Sequence, residues 1–288
     1  MARPLRLELP GAAYHVTSFG NGGQLAFRLP EDSARFLEFL GEVCRRFDWA
    51  CWAYCLLPDR YHLVVETRQA TLARGMRQLN GRYTQDFNRR HGVGGHVFQG
   101  RYRAVMVESP DFMAAVCRDT VRQPLARGLA DDPLAWRWSS HRSVAGRLPP
   151  GRPAPDWLAV DALLALHGGD PARYADDVSA TDREAVWDHL RHQVFLGSEA
   201  FVTAMRERAK AEAAGRGNLA EIPKAQWQAP PPPLETFAAE AASRDEAMAR
   251  AYLSGAYSQV SIARHFAVHY STVSRAVRRF EKTLEPAG

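Results

Sequence analysis

The sequence predicts an α+β fold, a single antiparallel sheet with helices packed on one face, followed by a helical carboxy-terminal part that carries a helix-turn-helix. Three observations carry this. Aromatic and β-branched residues cluster in short runs, apolar residues recur at helical spacing between those runs, and the chain closes on two short amphipathic helices separated by a tight turn. With 288 residues, 46% hydrophobic and 24% charged, the chain can bury a sizeable core. That excludes a disordered protein and a small disulfide scaffold. No window offers the run of about 18 apolar residues that a membrane span needs, and the opening MARPLRLELPG lacks the apolar stretch of a secretory signal. A cytoplasmic protein with no membrane partner is expected. Cys44, Cys51, Cys55 and Cys117 fit no metal or redox spacing and read as small buried apolar residues.

Residues 14–19 and 49–57 read as strands, and residues 60–67 as a third. Between the first two lies a helix whose Phe36, Leu37, Leu40, Val43, Cys44 and Phe47 form one stripe, with Pro30, Glu31, Asp32 and Ser33 supplying acidic and capping residues before it. A second helix is expected over 72–88, with Leu72, Met76, Leu79 and Tyr83 on one side. A third is expected over 110–122, stopped before Pro124. Residues 1–145 then form the first domain. From 146 to 235, Pro149, Pro150, Pro153 and Pro155 interrupt the chain, helical stretches follow around 160–166 and 182–210, and the proline run 230–233 reads as an extended linker. Residues 236–288 form the last domain. There Ile262, Ala263 and Phe266 face inward from one helix and Val273, Ala276 and Val277 from the next, across a turn at 267–269. The second helix presents Tyr270, Ser271, Thr272, Ser274, Arg275, Arg278 and Arg279, a set suited to base edges and phosphates in a major groove.

The net charge of +5 is unevenly placed. Between residues 68 and 103 stand Arg68, Arg74, Arg77, Arg82, Arg89, Arg90, Arg101 and Arg103 against the single Asp86. That segment is +7 and the other 252 residues sum to −2. Arginine outnumbers lysine 34 to 3, and a guanidinium fork suits bidentate phosphate contact. Because Tyr83, Phe87, Phe98 and Tyr102 are interleaved with these charges, bases can stack where phosphates are held. A solvated helix face with its apolar side in the core gives the same pattern. His91 and His96 are candidates for phosphate contact or for turn and packing roles.

The stretch Ala53-Tyr54-Cys55-Leu56-Leu57-Pro58-Asp59-Arg60-Tyr61-His62-Leu63-Val64 resembles the REP-associated tyrosine transposases, relatives of the IS200/IS605 single-tyrosine (HUH) transposases. The resemblance extends through Tyr14-His15-Val16-Thr17-Ser18, Gly20-Asn21-Gly22-Gly23-Gln24, Leu79-Asn80-Gly81-Arg82-Tyr83, Gly95-His96-Val97-Phe98-Gln99-Gly100-Arg101-Tyr102 and Pro124-Leu125-Ala126-Arg127-Gly128-Leu129 to Trp138-Ser139-Ser140. The last two helices resemble those of many bacterial regulators and resolvases. One departure there is Ala267, where such turns usually have a left-handed glycine, at a cost of about 1 kcal/mol.

The resemblance implies a ferredoxin-like sheet and a histidine-hydrophobe-histidine motif holding Mg²⁺ or Mn²⁺. It also implies a helical tyrosine that attacks single-stranded DNA, and a polar residue one turn later that completes the metal shell. In this sequence the second histidine is His62 and the first is replaced by Arg60, which cannot ligate a cation. The tyrosine position falls on Asp119 and the polar position on Gln123. No cofactor is expected. A metal, if present, would use His62 and Gln123, and Tyr83 is a weak alternative nucleophile. Arg60 and Asp119 are expected to pair with each other. DNA, as a hairpin or single strand for residues 1–145 and as duplex for the carboxy-terminal module, is the expected partner. A homodimer is compatible with the family and structured RNA is a weaker alternative ligand. The chain then reads as a nick-incompetent DNA-binding regulator or architectural factor, and the alternative is an active transposase that nicks and rejoins single strands with a divalent metal.

Overall fold

The computed structural model describes residues 8–110, 112–180, 186–216, 233–253, 257 and 259–284. The chain divides into two compact units, one spanning Arg6–Ala211 and the other including Glu212–Gly288.

In the first unit β1 (Ala12–Phe19) leads through α1 (Pro30–Phe47) to the hairpin β2 (Trp49–Leu57) and β3 (Arg60–Thr67), then through α2 (Leu72–His91) to β4 (Arg103–Val107). These four strands lie in the order β2-β3-β1-β4, every neighbouring pair antiparallel. That connectivity and order make the β-α-β-β-α-β ferredoxin-like arrangement.

Local chemistry explains the helix limits. Asp32, three residues into α1, turns back to accept the Leu29 and Arg28 backbone N–H groups at 2.9 and 2.8 Å, which satisfies donors the helix cannot pair internally. The 30–33 segment is therefore the first turn of the helix, not a stretch before it. Gly92 closes α2 at φ +63°, a left-handed conformation glycine adopts without penalty.

α1 and α2 cover one face of the sheet. Phe36 of α1 meets Tyr61 of β3 at a ring separation of 4.8 Å, and Tyr83 of α2 packs on Phe27, Phe36, Phe87 and Phe98. The structure extends the expected one-sided arrangement in two ways. α3 (Met113–Ala126) covers the other face, because β1 carries apolar or neutral side chains on both sides and seven of its eight residues are buried. It runs two residues past Pro124, which lies inside its last turn.

Beyond β4 the sheet also continues as β6 (Phe195–Leu196), parallel to β4, and β5 (Leu190–Arg191), so it is mixed at that edge. The region expected to be helical over 182–210 is thus a short hairpin followed by α7 (Glu199–Arg216). Between them and α3 lie α4 (His141–Val144), α5 (Val160–Ala165) and α6 (Pro171–Ser179).

The boundary expected near residue 145 is not a structural one. Leu158, Leu163, Tyr174, Val178, Phe195, Leu196 and Val202 share one continuous core with the sheet. The segment from 138 to 159 also pairs with the β2 edge: Leu56 N–H donates to the Trp138 carbonyl, Cys51 to Trp157, and Ala159 to Cys51. The proline run lies outside the described residues except for Pro233.

The second unit contains α8 (Leu234–Glu240), α9 (Arg244–Leu253), α10 (Gln259–His265) and α11 (Tyr270–Leu284). Met248, Ala249 and Ala251 of α9 join Ile262, Ala263, Val273, Ala276 and Val277 in its core, and Phe266 packs against them half-buried. The inward residues anticipated from the sequence are those found. Ala267 sits at φ +50° between α10 and α11, the left-handed turn read from the motif.

Candidate nucleic-acid interface

Alternation along β1 puts His15, Thr17 and Phe19 on the face that α3 covers. The register aligns Phe19 with Arg60 and Thr17 with His62 on β3, and Thr17 with Arg103 and His15 with Val105 on β4. Tyr61 points to the opposite face, where its hydroxyl donates to Asn80 at 2.8 Å.

The expected Arg60–Asp119 pair does not form. Arg60 instead makes a two-pronged contact with its neighbour Asp59 (Nε to Oδ1 3.0 Å, Nη2 to Oδ2 2.5 Å) and lies 4.5 Å from the centre of the Phe19 ring. Adjacent residues at the strand start reach each other without crossing the sheet, which is why the local carboxylate is preferred. Asp119 accepts from Trp187 Nε1 at 2.9 Å and from Gln123 Nε2 at 3.1 Å. The placement of Gln123 one turn after Asp119 is as anticipated. Burial pushes the Asp119 carboxyl above its usual range, against the opposing pull of those two hydrogen bonds.

Trp187 also packs on His15 at a ring separation of 4.8 Å, and His15 Nε2 lies 3.3 Å from His62 Nδ1. Burial lowers His15 to a pKa of about 4. It also holds His62 well below the usual histidine range, helped by His15 and by the charges of Arg127 and Arg60. Both imidazoles are therefore neutral near pH 7. His15 and Trp187 were not anticipated as site residues. The register of β1 against β3 would have identified His15, whereas Trp187 is brought in by a distant segment with no sequence signal.

These residues do not fit a divalent cation. Arg60 cannot ligate, Asp119 Oδ2 is engaged by Trp187 and Gln123, and His15 Nε2 is turned toward His62. The buried His62 Nε2 has no hydrogen-bond partner. Among the described residues no three His, Cys, Asp or Glu side chains gather as a metal-holding group.

The basic segment is partly neutralised by acids from elsewhere. Arg82 pairs with Glu42, Arg68 with Asp48, Arg89 with Asp86, and Arg90 with both Asp86 and Asp32. His91 also bonds Asp32, at 2.9 Å, which makes it part of that network. Arg74, which stacks near Phe47, together with Arg77, Arg101 and Arg103, is exposed with no acidic partner among the described residues. His96 is exposed.

The four aromatics proposed as a stacking platform are not available to bases: Tyr83, Phe87, Phe98 and Tyr102 are all buried. Tyr83 is a core residue whose hydroxyl donates to the Ala26 carbonyl at 2.5 Å, and burial raises its pKa far above the ordinary value. It is no nucleophile.

On α11, Tyr270 is 55% exposed and Arg275 is exposed, while Ser271, Thr272 and Ser274 are half-buried. Arg275 folds back along the helix toward the Ser271 carbonyl and the Thr272 hydroxyl. Arg279 pairs with Asp245 at 3.1 Å, and the Arg278 side chain lies outside the described set. His269 approaches the Ser271 hydroxyl at 2.8 Å at the start of α11.

Residues 12–117 match the family described as transposase IS200 like, and residues 246–283 match a helix-turn-helix domain family. None of the curated proteins searched matches this chain. Among solved structures, one described as "Structure of the REP associates tyrosine transposase bound to a REP hairpin" is similar at 17% identity and a TM-score of 0.45, over 52% of this chain and 89% of that one. The chain thus carries an IS200-like transposase domain over residues 12–117 and a helix-turn-helix domain over residues 246–283.

Proposed function

We propose that this protein is a DNA-binding regulator or architectural factor, derived from a single-tyrosine transposase, that holds DNA without nicking it. One observation carries the reading. The two positions that the resemblance assigns to a metal ligand and to the nucleophile are Arg60 and Asp119, and each is already engaged, Arg60 by Asp59 and Asp119 by Trp187 and Gln123. A carboxylate stands where the attacking hydroxyl would be, and its Oδ2 takes both donors. With Arg60 in a ligand position and no three His, Cys, Asp or Glu side chains gathered among the described residues, the donor set does not suit a Lewis acid for the leaving 3′-oxygen. The reading therefore assigns no cofactor to the site.

The transposase-like domain binds a hairpin or single strand through Arg74, Arg77, Arg101, Arg103 and His96. The helix-turn-helix reads a short duplex through Tyr270, Ser271, Thr272, Ser274, Arg275 and Arg278. Joining two modest binders in one chain raises affinity through effective concentration. Incubation of the purified protein with a fluorescent hairpin oligonucleotide and Mg²⁺ or Mn²⁺ tests this. The expected result is a shifted but intact oligonucleotide. Cleaved product with a covalent protein adduct would overturn it and restore the transposase reading.

A further inference from the structure

The geometry points to a receptor for a single DNA phosphodiester group at the Arg60–Phe19–Arg103 end of the sheet, with Arg127 as its third cation, on the spot where the resemblance implies a metal. This inference rests on the reading that the transposase-like domain binds DNA.

The strand register fixes the arrangement. Arg60 stands opposite Phe19 on one side of β1, and Arg103 stands opposite Thr17 on the other. Both guanidiniums converge on the Phe19 ring, at 4.5 and 5.3 Å from its centre. Arg127, at the end of α3, is near enough for its charge to depress both the Asp59 carboxyl and the His62 imidazole.

Arg60 is gripped by the one carboxylate of the group, Asp59, on which the charge of Arg127 also acts, and Arg103 shares the Phe19 ring with Arg60. The balance at this spot is +2. It differs from the outer part of α2, where Arg82, Arg89 and Arg90 are cancelled by Glu42, Asp86 and Asp32. Asp59 grips Nε and Nη2 of Arg60 and so orients the side chain, which is 19% exposed. Arg103 and Arg127 are exposed.

The neighbouring 20–23 turn leaves room for a polymer. Its Gly20 N–H is tied to the Asp59 carbonyl at 2.6 Å, and a side chain built on Gly22 or Gly23 would meet nothing within 4 Å. With the Nε–Nη2 edge of Arg60 taken by Asp59, the exposed guanidiniums of Arg103 and Arg127 supply the forks that match phosphate geometry. Together the three supply the positive charge a metal would bring without the Lewis acidity, so the site holds a phosphodiester it does not cut.

The test uses the full chain, a fluorescein-labelled DNA hairpin with a single-stranded tail, and anisotropy titrations over a range of KCl concentrations. Arg103→Gln and Arg127→Gln should each weaken binding about tenfold and reduce the slope of log affinity against log salt by about 0.7. Asp59→Asn, which removes the carboxylate paired with Arg60, should tighten binding about threefold. Loss of fold cannot produce that opposite pair of signs. Wild-type affinity and salt slope in all three variants, including the case in which only Arg275→Ala abolishes binding, would overturn the receptor and leave the DNA-binding reading intact. No binding of the tailed hairpin by the wild-type protein would overturn both.

Discussion

The histidines buried in the first unit make its stability fall as the solution is acidified. His15 is packed between Trp187 and His62, and burial depresses it to a pKa of about 4. His141, whose Nδ1 lies 3.2 Å from the Tyr174 hydroxyl, is depressed to about 4 by the same cause. In the unfolded chain both should titrate near 6.5. The native state thus binds fewer protons between those values. The stability these groups contribute is complete above about pH 6.5 and is lost as pH falls toward 4.

Each such histidine removes about 2 kcal/mol between pH 7 and pH 5, so the two together remove about 4 kcal/mol. His62 adds to the loss in the same direction. Asp119, whose carboxyl is raised, works in the opposite sense, favouring the native state at low pH. Asp32 and Asp86, whose carboxyls are lowered, contribute to a loss only at still lower pH. Tryptophan fluorescence during urea unfolding is a suitable readout, because Trp49, Trp52, Trp136, Trp138, Trp157 and Trp187 all belong to this unit. His15→Gln should flatten the pH dependence by about 1.4 kcal/mol per pH unit in the window. Equal urea midpoints at pH 7 and pH 5 for the wild-type protein would refute the argument.

Three substitutions probe the packing. Ala267→Gly relieves the φ of +50° and should stabilise the second unit by up to about 1 kcal/mol, read as slower hydrogen exchange in α10 and α11. Gly75→Ala places a Cβ 2.2 Å from Trp49 Cζ2, and the indole is anchored by its bond to Thr71. A loss of about 1–3 kcal/mol is expected, seen as a lower Tm. Tyr83→Phe removes the bond to the Ala26 carbonyl and should cost about 1 kcal/mol with no change in affinity for the tailed hairpin. A fall in that affinity would return Tyr83 to the binding surface.

The three strands and two helices that begin the chain were legible because each is long and periodic. Residues 49–57 and 60–67 were located to the residue. β4 was not read: Arg103–Val107 is five residues long and follows a loop of glycines. The β5–β6 pairs are two residues each and exist only because β4 offers them an edge. Arg60, His62, Asp119 and Gln123 could be singled out by resemblance, but their partners could not. The preference of Arg60 for Asp59, and of Asp119 for Trp187, depends on where side chains end in space. The interleaved aromatics misled for a related reason, since a residue that packs a core and one that stacks a base occupy the same helical spacing. The two buried carboxylates Asp32 and Asp86, which gather Arg90 from two directions, show how a charge count along the chain overstates the field at its surface.

Both rims of the ferredoxin-like ladder are dressed by later parts of the chain. On the β2 side they are residues 138–159, and on the β4 side Val194 and Leu196, which exchange backbone bonds with Met106 and Glu108. A fragment ended near residue 145 would bare two rows of unpaired amides and carbonyls, the template on which chains zip into aggregates. Expression work on the amino-terminal half is therefore better cut near residue 211 than after the stretch that matches the family. If two copies associate, neither the β2 nor the β4 edge is free to pair across a dimer axis, and among the described residues the outermost strand beyond β4 is the two-residue β5.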